Sequence, residues 1–349
     1  MRKINLFKTY ISLRSILNVC VLLIKSNYGA TIGEGPQVKA FEQEFAKKFG
    51  FQNVVALNSG TAALEIAYDM CGIKEGDEVI CPVLTHPSSS LPAVRKGAKI
   101  IFADIEDDLN VSIEDVISKI TSRTKVIVFV HFGGNNRGLK ELIDIAKERN
   151  IILIEDAAQA VGTDFWGKAD FTCVSLQAIK TMTSVDGGFL ICKKDENYAR
   201  AKRLRWFGYD RELKQKVGDT DITEAGYKYH MNDVIASIGR GNLTHIDNLI
   251  LHRKKLISEY NAHGVTAHMW FAYILSEKRD DLMEFLKMRG IGSGTHHYRN
   301  DKYTIFGGKQ NLPSMDRIEK QFLLLPLHHG VSVSDVKNIC QLIHKFNKI

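Results

Sequence analysis

Lys180 is the residue of this chain whose position most clearly suggests chemistry. It follows the apolar run Phe171–Leu176, which predicts a short buried strand, and the pair Gly187-Gly188 predicts a tight turn before the next apolar run, Phe189–Cys192. A lysine in a cleft at the end of a strand can lose its proton and attack an aldehyde. A lone lysine is more often a solvated surface residue, so the interpretation depends on a second motif.

That second motif is an acid at the end of another strand. Ile151–Ile154 is strongly apolar and runs into Glu155-Asp156-Ala157-Ala158-Gln159. An acid at the carboxyl end of a strand points into the crevice where α/β proteins bind ligands. Pyridoxal phosphate (PLP) requires a lysine for its Schiff base and a carboxylate that keeps its pyridine nitrogen protonated. Lys180 and Asp156 together therefore predict a PLP site.

A third motif could hold a phosphate group. Val54–Leu57 predicts a short strand, and a helix is predicted to begin at Ala62, directly after Ser59-Gly60-Thr61. Backbone N–H groups at the N-terminus of a helix bind phosphate without a cationic side chain. Such turns are common, so the assignment depends on Lys180 and Asp156 further along the chain.

These segments resemble the DegT/DnrJ family of PLP-dependent nucleotide-sugar aminotransferases, which belong to the fold-type I aspartate aminotransferase superfamily. The resemblance extends from about Gly33 to the C-terminus. Its most specific parts are Glu-Asp-Ala-Ala-Gln, which begins at Glu155, and Ser-x-x-Ala-x-Lys-x-x-Thr-x-x-x-Gly-Gly, which begins at Ser175. The segments Asn58–Leu64 and Gly76–Ile80 also fit the family pattern.

The resemblance implies a role for each motif residue. Lys180 carries the cofactor and is the catalytic residue, and Asp156 pairs with the pyridine nitrogen. The other implied cofactor contacts are Gln159 at the ring hydroxyl, and Ser59, Gly60, Thr61 and Ser175 at the phosphate. Some family members are dehydratases that have histidine in place of the lysine, so the presence of Lys180 favours aminotransfer.

Three positions depart from the family pattern. His86 stands where an aromatic residue stacks on the cofactor ring, and an imidazole offers less area than tryptophan or tyrosine. A family segment, Gly-x-Asn-x-Arg-Met, crosses the dimer interface, and here Lys228 replaces the asparagine while His230 replaces the arginine. The resemblance implies that Lys228 contacts the cofactor phosphate of a partner subunit in a homodimer with shared active sites.

Substrate contacts are predicted in two further segments. The turn at Gly33 lies near the active site in the family, although a purely structural turn is an equal alternative. A Gly-Ile-x-x-x-x-His-Tyr segment borders the sugar-nucleotide pocket, which makes His296, Tyr298 and Asn300 candidate contacts. The adjacent histidines at 296 and 297 have no third ligand at metal spacing, so no metal site is predicted.

Composition excludes several other classes of protein. The chain has 349 residues and a net charge of +7 with interspersed charges, which predicts no nucleic-acid partner. The irregular spacing of the six cysteines argues against a metal or redox motif. Cys81, Cys173 and Cys192 lie in apolar runs and predict buried reduced thiols and a cytoplasmic protein. The apolar run Ile16–Ile24 is too short to span a bilayer and predicts a helix that packs on the body or on a partner subunit, with no membrane association.

Alternating apolar runs and helical patterns predict an α/β fold. We expect a large PLP-binding domain with a mostly parallel sheet flanked by helices, and a small C-terminal α+β domain. The predicted division is an N-terminal helical segment over 1–30, the large domain over 31–245 and the small domain over 246–349. Glu212–Glu224 is predicted to be a loop, and Val234 to about Tyr260 a long helix.

The resulting hypothesis is transfer of an amino group from glutamate to a nucleotide-linked keto sugar in amino-sugar and glycan biosynthesis. The family favours a 4-keto-6-deoxyhexose. Two alternatives remain open: a PLP-dependent lyase or desulfurase that acts on amino acids, and a non-catalytic scaffold that binds PLP or a sugar nucleotide.

Overall fold

A seven-stranded sheet forms the centre of the computed structural model, which describes residues 2–348. The strand order is β1-β7-β6-β5-β4-β2-β3. β7 runs antiparallel to β1 and β6, and the other neighbours are parallel, so the predicted mostly parallel sheet is confirmed. The strands are β1 (Asn53–Leu57), β2 (Glu78–Pro82), β3 (Lys99–Ala103), β4 (Thr124–Val130), β5 (Ile152–Asp156), β6 (Phe171–Ser175) and β7 (Gly188–Cys192).

Helices cover both faces of this sheet. Val55 and Leu57 of β1 pack in one core, while Val54 and Ala56 pack in another, because successive strand residues point to opposite faces. The helices up to residue 243 are α1 (Leu13–Ser26), α2 (Pro36–Phe49), α3 (Gly60–Met70), α4 (Leu91–Arg95), α5 (Ile113–Ser118), α6 (Leu139–Arg149), α7 (Asp195–Leu204), α8 (Arg211–Val217) and α9 (Asp233–Leu243).

A second, three-stranded antiparallel sheet lies in the C-terminal part of the chain, in the order β10-β9-β8. Its own hydrophobic core includes residues of the neighbouring helices, and Ile4 near the N-terminus also packs in it. The domain boundaries at 30 and 245 remain a prediction. The elements are α10 (Ile246–Ala262), β8 (Thr266–Ala267), β9 (Ala272–Leu275), α11 (Arg279–Lys287), α12 (Pro313–Ile318), β10 (Phe322–Leu325) and α13 (Val333–Phe346).

The structure differs from the sequence prediction in two segments. The predicted loop Glu212–Glu224 contains helix α8, which begins at a cap where the Asp210 side chain accepts a hydrogen bond from the backbone N–H of Leu213. The predicted long helix is two helices, because a turn at Thr244-His245 separates α9 from α10. Apolar periodicity continues across that turn, so the sequence pattern did not reveal it.

Helix α1 packs on α9 through small polar residues. The Ser15 hydroxyl donates to the Ile238 carbonyl (2.8 Å) and also lies 2.9 Å from the Asn242 side-chain oxygen. A Cβ at Gly241 would lie 2.5 Å from the Ser15 backbone, so the close approach of the two helices requires glycine there. Among residues 2–348, no helix has the length and apolar character needed to cross a bilayer.

Glu155 on β5 fixes the connection between β5 and β6. Its buried carboxylate accepts hydrogen bonds from the backbone N–H groups of Gly167 (2.7 Å) and Lys168 (2.9 Å) and from the Thr172 hydroxyl (3.2 Å). The His131 imidazole lies 2.7 Å away. Although burial opposes ionisation, the hydrogen bond with His131 and those from the backbone outweigh it and lower the pKa of Glu155.

Replacing this carboxylate should destabilise the fold. We expect Glu155→Gln to lower the free energy of unfolding at neutral pH by roughly 3 kcal/mol, because an amide cannot accept from all of these donors. The folded-state pKa lies below the unfolded value of about 4.3, so the carboxylate's contribution is complete above that pH and is lost as the pH falls through the folded pKa.

Chemical denaturation between pH 3 and 8 checks this expectation. The difference in stability between the wild type and Glu155→Gln should shrink in the acidic part of the series. The exposed Glu148→Gln is the matched control and should change stability little at any of these pH values. A wild-type-like Glu155→Gln at neutral pH would contradict the role assigned to this side chain.

Candidate active site

The carboxyl ends of three central strands and the turn after β1 open onto one cavity of about 290 Å³. Parallel strands bring their carboxyl ends to the same edge of a sheet, which is where α/β proteins bind ligands. The cavity is lined by Ser59, Gly60, Thr61, Leu64, Thr85, His86, Ser88, Val130, Asp156, Ala158, Gln159, Cys173, Ser175, Gln177, Ile179, Lys180, Asp186, His296 and His297.

Asp156 is the last residue of β5 and is held in the cavity wall by two donors. The Ser89 hydroxyl donates to its Oδ2 (2.7 Å), and the backbone N–H of Ala158 donates to its Oδ1 (3.1 Å). Ser89 also lies 2.9 Å from the Thr85 hydroxyl. These contacts fix the orientation of the carboxylate, as a partner for a protonated pyridine nitrogen requires.

Lys180 lies in the turn after β6, half-buried in the cavity wall. Burial lowers the pKa of Lys180 to about 8, although the charge of Asp156 acts in the opposite direction. A lysine with this pKa is partly unprotonated at neutral pH, as a nucleophilic amine must be. Its Nζ lies 4.2 Å from the centre of the Trp270 ring.

The turn before α3 has the form of an anion cradle. Ser59 caps the helix by accepting a hydrogen bond from the Ala62 N–H (3.0 Å), and the first turn carries no acidic side chain. A Cβ at Gly60 would lie 2.8 Å from the Cβ of Ser175, so only glycine allows this close approach to the end of β6. The positive helix end and the serine hydroxyls of the cavity fit a phosphate group.

Three histidines cluster in the lining of the cavity. The rings of His296 and His297 lie 4.2 Å apart, and those of His86 and His297 5.6 Å apart. Desolvation lowers the pKa of all three, to about 4 for His296 and well below the usual imidazole value for His297. All three rings are therefore neutral at physiological pH and add no positive charge beside Lys180.

Gln159 is oriented by a neighbouring loop and by a histidine. Its side-chain oxygen accepts a hydrogen bond from the backbone N–H of Gly133 (2.6 Å), which leaves its amide nitrogen 3.4 Å from Nε2 of His297. His297 has a φ of 66°, a left-handed conformation that is uncommon for a residue other than glycine. The segment therefore holds this imidazole in a strained position against Gln159.

The structure brings most of the predicted site residues together. Ser59, Gly60, Thr61, His86, Asp156, Gln159, Ser175, Lys180 and His296 all line the cavity. Together these groups fit PLP: an amine for the aldehyde, an acid for the ring nitrogen and an anion cradle for the phosphate. The individual roles stay predictions.

Four other predicted residues lie away from this cavity. Lys228 and Tyr298 are exposed, and Gly33 lies in the turn before α2. Asn300 is fully buried, and its side-chain amide has no hydrogen-bond partner among the described residues. The predicted contact of Lys228 with a partner subunit's cofactor, and the substrate roles of the other three, remain untested predictions.

Sequence reasoning missed Ser89, His297 and Trp270 as site residues. Ser89 belongs to a run of three serines that follows His86 closely in the sequence. This run of hydroxyl groups beside a predicted site residue could have indicated a further contact. No local pattern marks Trp270, because it reaches Lys180 from a distant part of the chain. No group of three His, Cys, Asp or Glu side chains within residues 2–348 could hold a metal ion.

A second cavity of about 300 Å³ lies outside this site and contains no part of the Lys180 motif. Arg205 forms ion pairs there with Glu34 and Glu42, and Arg211 also pairs with Glu34. Opposite charges that already satisfy one another make this a weaker ligand site than the lysine cavity.

Comparisons with known proteins agree with the geometry. Residues 22–344 match the sequence profile described as the DegT/DnrJ/EryC1/StrS aminotransferase family. The UDP-4-amino-4-deoxy-L-arabinose–oxoglutarate aminotransferase of Shewanella sediminis is 30% identical, over 89% of this chain and 91% of that protein.

Two solved structures are also similar to this chain. AtS13 from Actinomadura melliaura superposes with a TM-score of 0.92 at 26% identity and 99% coverage of both chains. The sugar aminotransferase CalS13 from Micromonospora echinospora gives 0.90 at 26% identity, with 98% of this chain and 99% of that chain covered.

Removing the Ser89 hydroxyl tests how Asp156 is held. We expect Ser89→Ala to raise the dissociation constant for PLP roughly tenfold, because a charge-assisted hydrogen bond to the carboxylate is lost. Titration of the cofactor-free protein with PLP, followed by absorbance, measures the constant. Ser90→Ala removes the neighbouring hydroxyl, which contacts the Pro87 carbonyl, and should bind like the wild type. Equal effects of the two variants would contradict a specific role for Ser89.

Proposed function

We propose that this chain, which belongs to the DegT/DnrJ/EryC1/StrS aminotransferase family, moves an amino group from glutamate to a nucleotide-linked keto sugar. The observation that carries the proposal is the meeting of Lys180 and Asp156 in one cavity beside an anion cradle. An amine in the turn after β6 and a carboxylate at the end of β5 are the two groups that a PLP-dependent aminotransferase needs, which supports the proposal.

Aminotransferases of this family use PLP, and PLP is the cofactor of this chain. When bound, PLP supplies an aldehyde that takes up the donor's amino group and an electron-withdrawing ring that acidifies the adjacent C–H bond. The protein's contribution is to bind the cofactor, to orient it and to move protons.

Lys180 is proposed to be the group that moves the proton. Its pKa of about 8 leaves a fraction of the amine free to accept a proton from the donor carbon at neutral pH, and the resulting ammonium can return it at a second carbon. Asp156 keeps the ring nitrogen protonated, since Ser89 and Ala158 hold its carboxylate in one orientation. The neutral histidines border the space left for the substrate.

The choice of substrates rests on relatives. The Shewanella sediminis protein is named for a 4-amino sugar bound to UDP and for oxoglutarate as its keto acid. Glutamate is the amino acid that yields oxoglutarate, so we propose glutamate as the donor. By the same analogy the acceptor is a nucleotide sugar with a keto group at C4. Arabinose is a pentose, so the 4-keto-6-deoxyhexose that we propose rests on the family resemblance and not on this relative.

We further propose a homodimer with shared active sites. Ser15 of helix α1 and its capping residue Ser12 face α9, and Leu22 is also buried, while most other apolar residues of α1 are exposed. The apolar residues of α1 with at least half of their surface exposed are Leu13, Ile16, Leu17, Val21 and Ile24. Such a face favours burial against another surface, and a second copy of the chain could also place Lys228 near the phosphate cradle.

A cytoplasmic location is proposed from the cysteines. All six are free thiols, and five of them are buried. Burial raises the pKa of Cys71, Cys81, Cys192 and Cys340, which keeps these thiols protonated and unreactive. Free thiols in a protein without a disulfide are typical of a reducing compartment.

Lys180→Arg should abolish turnover. The variant keeps a positive charge but has no amine that can bond to the aldehyde or move a proton at neutral pH, so we expect the rate to fall at least about a thousandfold. The measurement is the visible spectrum with glutamate, followed by addition of a 4-keto nucleotide sugar. In the wild type, glutamate should bleach the yellow band and the keto sugar should restore it.

The control for that experiment is Lys194→Arg, which changes an exposed lysine next to α7 and should respond like the wild type. Full activity of Lys180→Arg would refute the assignment of the catalytic lysine. A wild-type band that glutamate leaves unchanged would favour a lyase, and the absence of any band with added PLP would favour a non-catalytic scaffold.

The dimer has a separate test. We expect Leu17→Asp to convert a dimer into a monomer at micromolar concentration, because a carboxylate would be buried in the apolar interface. Sedimentation velocity measures the change in mass. Lys25→Asp, also exposed on α1 but outside this apolar set, is the control and should remain dimeric. A wild-type protein that sediments as a monomer would refute the proposal.

A further inference from the structure

Trp270 makes two contacts with the segment that carries the catalytic lysine. Its indole N–H donates a hydrogen bond to the carbonyl of Ile179 (3.1 Å), the residue directly before Lys180. The face of the same ring lies 4.2 Å from Nζ of Lys180. One side chain thus fixes both the backbone before the lysine and the position of its amine.

The backbone of Trp270 is itself held on more than one side. Its N–H donates to the Gly133 carbonyl (2.7 Å), which lies in the loop after β4. The buried Arg253 donates from Nη1 to the carbonyls of Met269 (3.1 Å), Trp270 (3.3 Å) and Leu327 (2.6 Å). These bonds fix the chain just before β9.

Arg253 makes no ion pair within the described part of the chain, although burial of a charge is costly. Burial lowers the pKa of Arg253 to about 10, so the guanidinium is still charged at neutral pH. Hydrogen bonds from the guanidinium to backbone carbonyl groups offset the cost of burying this charge. The buried guanidinium of Arg253 therefore fixes the backbone at Met269 and Trp270 through its hydrogen bonds to their carbonyl groups.

The ring of Trp270 is covered from the N-terminal segment. Phe7 stacks on it with 4.9 Å between ring centres, and the indole is 1% exposed. Phe7 also lies 5.1 Å from the ring of His296. With one face of the indole against Phe7, the ring cannot swing away from Lys180 without breaking this stack.

We propose that Trp270 holds the side-chain amine of Lys180 whenever that amine is not bonded to the cofactor. The aromatic face attracts an ammonium group, and most strongly where water is excluded. The amine of Lys180 then stays close to the carbon atoms whose protons it moves. The lysine side chain keeps one rotamer between the two half-reactions. The inference rests on the proposed function, since it assigns a catalytic part to a residue in contact with the reacting amine.

The other groups around Lys180 leave this role to Trp270. Asp156 is the acid that faces the amine and favours its charged form, while His86, His296 and His297 are neutral. Removing the indole ring should therefore make protonation of the Lys180 amine less favourable, whereas the charge of Asp156 would continue to favour protonation.

The test uses cofactor-free protein. Acetic anhydride acylates the unprotonated amine, so the extent of labelling of Lys180 against pH, measured by mass spectrometry, gives its midpoint of titration. We expect Trp270→Leu to lower this midpoint by about one pH unit, because the apolar side chain still excludes water but lacks the attractive ring face. Trp270→Phe should lower it by less, since a smaller ring face remains.

Trp166→Phe is the matched control. Trp166 is buried among Phe45, Phe49 and Phe51, away from the cavity, and its replacement should leave the midpoint of Lys180 unchanged. Thermal melting establishes that each variant is folded, and Trp270→Phe carries the test if Trp270→Leu does not fold.

An unchanged midpoint in a folded Trp270→Leu, or in Trp270→Phe if that variant alone is folded, would overturn the proposal. A second readout is the tryptophan fluorescence of the cofactor-free wild type, which should change over the same pH range as the labelling and lose that change in Lys180→Met. Neither measurement uses glutamate or a sugar. Failure here would therefore leave the aminotransferase assignment intact, and failure of that assignment would not alter the labelling result.

Discussion

The two adjacent carboxylates at the end of β5 are the constraint on which the site depends. Successive strand residues point to opposite faces of a sheet, so the side chains of Glu155 and Asp156 lie in different environments. Glu155 is buried, and its carboxylate accepts hydrogen bonds from backbone N–H groups of the β5–β6 connection and from Thr172. These bonds fix the position at which β6 begins. Asp156 then faces the cavity, and β6 leads directly to Ser175 and Lys180.

Much of this arrangement could be predicted from the sequence because it follows from strands and their ends. The apolar runs before Asp156 and Lys180 form β5 and β6, and the fold class is confirmed. Parallel strands bring their carboxyl ends together wherever the residues lie in sequence, so distant motifs could be expected to meet. The family resemblance implied that the turn at Ser59 and Ser175 both contact the phosphate, and the close packing of Gly60 on Ser175 places the two segments side by side.

The features that escaped prediction depend on contacts between segments far apart in the chain. Trp270 reaches Lys180 because Arg253 and Gly133 fix its backbone, and nothing in the sequence around 270 marks that contact. Ser89 is one of three consecutive serines, and only the fold shows which of them faces Asp156. Helix α8 and the break between α9 and α10 were missed because caps and turns of one or two residues scarcely alter the hydrophobic pattern.

The presence of His86 where the family has a larger aromatic residue can be explained when His86, His296 and His297 are considered together. His86 alone offers a small ring at the position where the family stacks an aromatic residue on the cofactor, but His297 and His296 lie beside it.

The strained backbone of His297, a conformation that costs on the order of 1 kcal/mol, places its imidazole against Gln159. The strain is sustained by its surroundings, because Gly292 pairs with Ile4 and Gly294 with Leu324 just before His297, and the Asn300 N–H donates to the Val83 carbonyl just after it. The N-terminal segment around Ile4 and the small sheet therefore support a histidine wall of the cavity that the large sheet alone does not supply. The chemistry proposed for Lys180 and Asp156 is favoured by that wall, because it shields the two side chains from bulk water without adding a competing charge.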